Sequence, residues 1–228
     1  MYHFYCVLLL LRNMKPKIFV IGFNKTATST IHTLFQENGI PGYHQGKKYK
    51  TINWKTMLPK YNCFSDISFT LEDIEELHKT YQNAIFILNV RNIDKWLISR
   101  FKHGERNFHM SGSHPFYPCS FDKCNAWIKD RERKHLQFLD FFKDKPNKLL
   151  LVNIEKKGWI HFLRKEFSLA RGVHNIHVNP TQNTPYHNEI INTVNDSLEK
   201  LDYNKNTLFI ANEKLLQSYL EIYNRKHV

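Results

Sequence analysis

One stretch near the amino terminus, residues 17–39, constrains the fold of this chain more than any other. Lys17–Ile21 is short, apolar and rich in β-branched and aromatic side chains, which is typical of a buried strand in a parallel sheet. A turn follows over Gly22–Thr26. From Ala27 onward the apolar residues recur at helical spacing, and Gly39 stands where a helix would end. The stretch therefore predicts a strand, a tight turn and a helix.

The turn between this strand and this helix has the features of an anion-binding site. The first backbone N–H groups of a helix have no partner within the helix, and the helix dipole makes that end positive. Lys25 adds a full positive charge, and Thr26, Thr28 and Ser29 add hydroxyl groups. These groups together predict that the turn binds a phosphate or a similar anion.

The position of the lysine argues against a nucleoside triphosphatase. The phosphate-binding loop of those enzymes has a second glycine immediately before its lysine. This chain instead has Gly22, two further residues, and then Lys25-Thr26. A nucleotide kinase or triphosphatase is therefore disfavoured, although it stays open as an alternative.

A second group of polar residues follows Ala84–Val90, the clearest buried strand of the chain. Arg91 comes directly after this strand, and Ser99 lies about two helical turns further on. Open parallel sheets bind ligands at the carboxyl ends of their strands. An arginine fork can also bind two phosphate oxygens at once. Arg91 and Ser99 are therefore predicted to face the same ligand-binding edge.

Both segments resemble the sulfotransferases that use PAPS (3′-phosphoadenosine 5′-phosphosulfate), in particular their bacterial-type members. Residues 25–29, Lys-Thr-Ala-Thr-Ser, resemble the Lys-Ser/Thr-Gly-Thr-Thr loop that binds the 5′-phosphosulfate, with Ala27 in place of the glycine. Arg91 and Ser99 resemble the pair that binds the 3′-phosphate. Weaker similarities extend the resemblance over about residues 17–180 and lie at Leu149–Ile154, Gly158-Trp159 and His177-Val178-Asn179.

The resemblance implies a transfer of a sulfuryl group from PAPS to a hydroxyl or amine, with adenosine 3′,5′-bisphosphate as the product. The acceptor would be a small molecule or a glycan, and no metal is expected. Lys25 would have a catalytic role in addition to binding the donor. The implied donor-binding residues are Asn24, Lys25, Thr26, Ala27, Thr28, Ser29, Arg91 and Ser99. The glycine-rich carboxy-terminal loop of some family members is missing, and Arg164, Lys165 or Arg171 could replace it.

Asp66 is the expected general base, which would take the proton of the acceptor. It stands near the end of a short strand predicted over Asn62–Ile67 and matches an acid often found there in bacterial-type sulfotransferases. A histidine does this work in other members, so His44 and His103 are alternatives. Asp66 could also be a structural acid at a helix entry.

Strands alternate with helices along the chain, which predicts a three-layer, P-loop-like α/β fold with a central parallel sheet of about four or five strands. The 228 residues are expected to form a single domain. Residues 1–14 are interpreted as an extension, and 187–228 as a helical cap that could pair with a second copy of the chain. Helices are predicted from Thr70, with a capping box to Asp73, and over Phe121–Phe142. Residues 40–50 and 101–124 are interpreted as loops, and the second of them is expected to cover the substrate.

Composition limits the remaining alternatives. A net charge of +12 and an isoelectric point near 9.5 favour binding of polyanions, so a non-catalytic basic module for nucleic acid or sulfated glycans stays open. Neither a zinc finger nor an aromatic RNA-binding motif is found, so no nucleic-acid partner is expected. Four cysteines are too few for a disulfide scaffold, which favours a cytoplasmic location. The apolar run Phe4–Leu11 is too short to span a bilayer.

Overall fold

A computed structural model of the chain describes residues 16–45, 52–145, 147–170 and 185–205. Within these ranges the chain forms five strands and six α-helices. The strands are β1 (Ile18–Val20), β2 (Gly42–His44), β3 (Cys63–Ser65), β4 (Ile85–Val90) and β5 (Leu149–Asn153). The helices are α1 (Thr28–Glu37), α2 (Leu71–Thr80), α3 (Ile93–Ser111), α4 (Phe121–Phe142), α5 (Trp159–Glu166) and α6 (His187–Lys200), and a 3₁₀ turn covers Trp54–Met57.

The five strands form one parallel sheet in the order β2-β3-β1-β4-β5. β1 lies in the centre, with β3 on one side and β4 on the other. Because all pairings are parallel, the carboxyl ends of these three strands meet at one edge. The order of the strands reverses at β1, and open α/β sheets bind their ligands at such a point.

Helices pack on both faces of the sheet, because successive side chains of a strand point to opposite faces. Phe19 and Phe86 belong to a core cluster that they share with α2 and α4. Ile18 and Ile87 belong to a separate cluster with α1 and α5. A third cluster joins α3, α4 and α6. The predicted three-layer, P-loop-like α/β fold with a parallel sheet is therefore confirmed.

Helix ends follow the local signals of the sequence. The Thr70 hydroxyl accepts a hydrogen bond from the N–H of Asp73 at 3.2 Å, and the Asp73 carboxylate accepts one from the N–H of Thr70 at 3.1 Å. The predicted capping box is thus confirmed. α1 ends at Glu37, and Gly39 follows with a φ of 71°, a backbone conformation that favours glycine.

Two predictions of loops are wrong in part. β2 lies within the segment 40–50, where parallel pairing with β3 stabilises a strand too short to have a recognisable pattern. α3 continues to Ser111 and α4 begins at Phe121, so only about nine residues of 101–124 are irregular. Aromatic packing stabilises this longer α3, since the rings of Phe108 and Tyr117 stack with their centroids 4.2 Å apart.

Several predictions lie outside the described residues. They are the extension 1–14, the segment His177–Asn179, Arg171, and residues 206–228 of the predicted carboxy-terminal cap. Residues 187–200 of that cap form α6, which packs on α3 and α4. Among the helices of the described ranges, none has the length and apolar character required to cross a membrane.

Candidate active site

The loop between β1 and α1, residues 22–27, is anchored by Asn89 near the end of β4. The side-chain oxygen of Asn89 accepts a hydrogen bond from the N–H of Gly22 at 3.1 Å. Its amide nitrogen donates to the carbonyl and the hydroxyl of Thr26, at 2.5 and 2.7 Å. A Cβ atom at Gly22 would lie 2.3 Å from the carbonyl oxygen of Asn89, so only glycine permits this close approach. The neighbouring strand therefore fixes the position of the loop.

Two residues of this loop, Lys25 and Ala27, have the left-handed backbone conformation, with φ values of 67° and 65°. In the sulfotransferase loop that residues 25–29 resemble, a glycine stands where this chain has Ala27. A residue with a Cβ loses roughly 1–2 kcal/mol in this region of φ and ψ. Ala27 nevertheless takes the conformation that glycine would adopt most easily.

The amino end of α1 is positive and has no side-chain cap. Ala27 stands at the cap position and makes no side-chain hydrogen bond there, and the first turn of α1 contains no acidic residue. Lys25 is partly buried beside it. Burial lowers the pKa of the Lys25 amine to about 8, the charge of Asp66 acts in the opposite direction, and the charges of Arg106 and Arg100 lower it further. A bound anion would relieve this accumulation of positive charge, so these residues fit a phosphate or sulfate group.

Arg91 follows β4 directly and reaches the Lys25 loop. Its Nη1 donates a hydrogen bond to the carbonyl of Lys25 at 3.3 Å, and its Nε donates to the carboxylate of Glu155 at 2.9 Å. The carbonyl of Arg91 accepts a hydrogen bond from Arg131, a buried residue of α4. The structure thus brings Lys25 and Arg91 together. Ser99 lies two turns along α3, where its side chain is only 5% exposed.

Two arginines stack on Trp96 behind the loop. The indole Nε1 of Trp96 donates a hydrogen bond to the carbonyl of Asn24 at 3.1 Å. The guanidinium carbons of Arg100 and Arg131 lie 4.9 and 5.1 Å from the centroid of the Trp96 ring. Burial lowers the pKa of Arg100 to about 10, with Asp130 acting in the opposite direction. Arg100 therefore still carries its charge at neutral pH and adds to the positive potential of the site.

Asp66 follows β3 directly and lies against the amino end of α1. One carboxylate oxygen accepts a hydrogen bond from the Thr28 hydroxyl at 3.2 Å, and the other lies 3.8 Å from Nε2 of His44. The two ring nitrogens of His44 also lie 3.3 Å from the Ser29 hydroxyl and 2.8 Å from the Ser65 hydroxyl. Burial lowers the pKa of His44 although the charge of Asp66 opposes this, so the imidazole is neutral at pH 7. A carboxylate and a neutral imidazole therefore stand side by side near Lys25.

The other histidine considered from the sequence, His103, lies on α3 in a different group of side chains. Its ring centroid is 5.5 Å from that of His114, and its Nδ1 is 3.4 Å from the Arg106 guanidinium. His44 is thus the histidine that lies next to Asp66. Arg164 and Lys165, the residues considered as replacements for the missing carboxy-terminal loop, lie on α5. Arg164 donates a hydrogen bond to the carbonyl of Ala170 at 2.9 Å, and Lys165 is exposed.

Several residues at this site were not predicted, among them Asn89, Trp96, Arg100, Arg131 and Glu155. Asn89 has a signal in the sequence, because it is the one amide in the otherwise apolar strand β4, and a buried amide requires hydrogen-bond partners. Trp96 and Glu155 have no comparable local signal. In the part of the chain that the structure describes, no group of three or more His, Cys, Asp or Glu side chains is arranged to hold a metal ion.

Comparison with known proteins gives one family. Residues 40–147, just under half of the chain, match a family model described as a sulfotransferase domain. The matched range contains Asp66, Arg91 and Ser99, and it begins after the Lys25 loop. No curated protein matches the sequence. The matched part of the chain is therefore similar to a sulfotransferase domain, and the match supports a sulfotransferase activity in general.

Proposed function

We propose that this protein transfers a sulfuryl group from PAPS to a hydroxyl or amine of a small-molecule or glycan acceptor. One observation carries the proposal: Lys25, Arg91 and Asp66, which follow three neighbouring strands, surround the uncapped amino end of α1. This arrangement combines a site for an anion with a carboxylate that can accept a proton. The sulfotransferase domain at residues 40–147 supports the same class of reaction.

Residues 24–29 would bind the 5′-phosphosulfate of the donor. Lys25 would contribute its charge, and the backbone N–H groups at the start of α1 would contribute hydrogen bonds. The side chain of Thr26 has another role, because its hydroxyl donates to the carbonyl of Phe23 and accepts from Asn89. Thr26 would therefore act through its backbone. Arg91 and Ser99 would bind the 3′-phosphate.

The reaction requires a group that accepts a proton and a group that stabilises charge on the leaving oxygen. When bound, PAPS supplies the sulfuryl group. Lys25 would stabilise the negative charge that develops on the leaving phosphate. Asp66 would take the proton of the acceptor, and His44 is the alternative because its neutral ring lies 3.8 Å from the same carboxylate.

Adenosine 3′,5′-bisphosphate, the product expected from the donor, should stabilise the folded protein without magnesium. At a ligand concentration near 100 times its dissociation constant the gain is about 2.7 kcal/mol. A thermal unfolding experiment measures this gain and compares the bisphosphate with ATP–Mg²⁺ and with a short oligonucleotide. Stabilisation by ATP–Mg²⁺ alone would indicate a nucleotide kinase, and stabilisation by the oligonucleotide alone would indicate a nucleic-acid-binding module.

Arg91→Ala should weaken binding of the bisphosphate more than Ser99→Ala. Hydrogen bonds to charged groups contribute about 1.5–3 kcal/mol and neutral ones about 0.5–1.5 kcal/mol. Calorimetry should use the bisphosphate and also adenosine 5′-phosphosulfate, which lacks the 3′-phosphate. This second ligand is the necessary control, because Arg91 also contacts the carbonyl of Lys25 and its loss could disturb the loop. An unchanged ratio of the two affinities in Arg91→Ala would show that Arg91 does not bind the 3′-phosphate.

A further inference from the structure

The carboxylate of Glu155 lies between two cations at the edge of the sheet. Its Oε1 accepts a hydrogen bond from Nε of Arg91 at 2.9 Å, and its Oε2 accepts one from Nζ of Lys95 at 2.7 Å. Glu155 comes shortly after β5, and the side chain of Asn153 accepts a hydrogen bond from its N–H at 2.9 Å. β5 pairs with β4, so the chain delivers this acid directly beside Arg91.

Glu155 is ionised at neutral pH in this arrangement. Burial alone would raise the pKa of its carboxyl group, but the hydrogen bonds from Lys95 and Arg91 outweigh burial and hold the pKa below its ordinary value. The side chain of Glu155 is 21% exposed, and those of Arg91 and Lys95 are 27% and 49% exposed. The three charges therefore lie at the border of solvent, where the carboxylate can exchange its partners for water.

Lys95 lies between the two residues proposed for the 3′-phosphate. Lys95 and Ser99 lie four residues apart on α3 and so share one side of the helix. Arg91 precedes this helix, and it is held beside Lys95 because both residues contact the Glu155 carboxylate. A phosphate monoester carries a charge of about −2 at neutral pH and presents three acceptor oxygens. It is therefore a stronger partner for two neighbouring cations than a single carboxylate.

We propose that Arg91 and Lys95 together bind the 3′-phosphate of the donor, and that the Glu155 carboxylate holds these two cations until the phosphate replaces it. The proposal rests on the proposed function, since it requires a nucleotide with a 3′-phosphate at Arg91. Lys95 then helps to bind the sulfuryl donor, and the Glu155 carboxylate competes with the 3′-phosphate for Arg91 and Lys95. Glu155 also makes the site selective, because an anion must bind the two cations better than the carboxylate does.

Calorimetry on Glu155→Gln and Lys95→Gln tests the proposal, with adenosine 3′,5′-bisphosphate and adenosine 5′-phosphosulfate as ligands. Glu155→Gln should bind the bisphosphate about tenfold more tightly, because the competing charge is lost. Lys95→Gln should bind it about tenfold more weakly, because one charged partner is lost. Both variants should bind the 5′-phosphosulfate as the wild type does, because that ligand has no 3′-phosphate.

A matched control is Asp140→Asn, which removes a carboxylate from the exposed ion pair with Lys143 near the end of α4. This variant should bind both ligands as the wild type does. Equal or weaker binding of the bisphosphate by Glu155→Gln would overturn the competition and show that Glu155 only positions Arg91. Unchanged binding by Lys95→Gln, an exposed position at which folding is preserved, would remove Lys95 from the site. Failure of the proposed function gives a different result, because the wild type would then bind neither ligand.

Discussion

Replacement of Asp66 by asparagine is expected to lower the turnover by about 10²–10⁴, the usual contribution of a positioned general base. The asparagine keeps the shape and can still accept the hydrogen bond from Thr28, but it cannot take a proton from the acceptor. Affinity for adenosine 3′,5′-bisphosphate should remain close to that of the wild type. Transfer from labelled PAPS to a panel of hydroxyl and amine acceptors measures the turnover, and calorimetry measures the affinity.

Asp66→Asn is also suited to separate a catalytic role from a structural one. Asp66 has a φ of 58°, and asparagine tolerates this left-handed conformation as well as aspartate does. An unchanged melting temperature with a lost turnover would support the general base. His44→Gln and His103→Gln are the parallel variants: full turnover in Asp66→Asn with a large loss in either of these would assign the base to that histidine.

Lys25→Met should lower the turnover by about 10²–10³, as the removal of one group that stabilises transition-state charge does in other enzymes. The amine is partly buried beside the uncapped end of α1, where its charge adds to that of the helix end. Since the pKa of Lys25 is lowered to about 8, its charge is lost as the pH rises through this value. Binding of the bisphosphate by the wild type should therefore weaken above about pH 8, as calorimetry between pH 6.5 and 9.5 would show.

Lys25→Arg separates charge from geometry in this experiment. The ordinary pKa of arginine exceeds about 12, and even the buried Arg100 of this site keeps a pKa of about 10. An arginine at position 25 should therefore stay mostly protonated up to pH 9.5, and the loss of affinity above pH 8 should disappear in this variant. Lys134→Met is a control. Nζ of Lys134 lies 5.4 Å from the centroid of the ring of Phe23, which belongs to the loop that contains Lys25, but Lys134 itself is part of α4. An equal pH dependence in Lys25→Arg and the wild type would show that another group titrates.

The sequence predicted those parts of the protein that local patterns determine. The buried strands β1 and β4, the capping box at Thr70 and the helix Phe121–Phe142 all have periodicity or end signals within the segment itself. The order of chain elements was sufficient to predict a parallel sheet and to expect Lys25 and Arg91 at one edge. These predictions needed no knowledge of distant contacts.

The parts that the sequence did not predict depend on contacts between distant segments. β2 has only three residues and forms because β3 lies beside it. Glu155 reaches Arg91 only because β5 pairs with β4, and their separation of 64 positions in the sequence hides this contact. The position of Asp66 between Thr28 and His44 likewise results from three strands whose ends meet.

The anchoring of the Lys25 loop by Asn89 has a consequence for the shape of ligand that can bind. Asn89 and Arg91 are two residues apart at the end of β4, and both contact the loop that follows β1. Adjacent strands are held about 4.8 Å apart by their hydrogen bonds. The separation of the Lys25 loop from Arg91 is therefore set by the pairing of β1 with β4. If the proposed function is correct, the sheet itself selects nucleotides whose two anionic groups have a matching spacing.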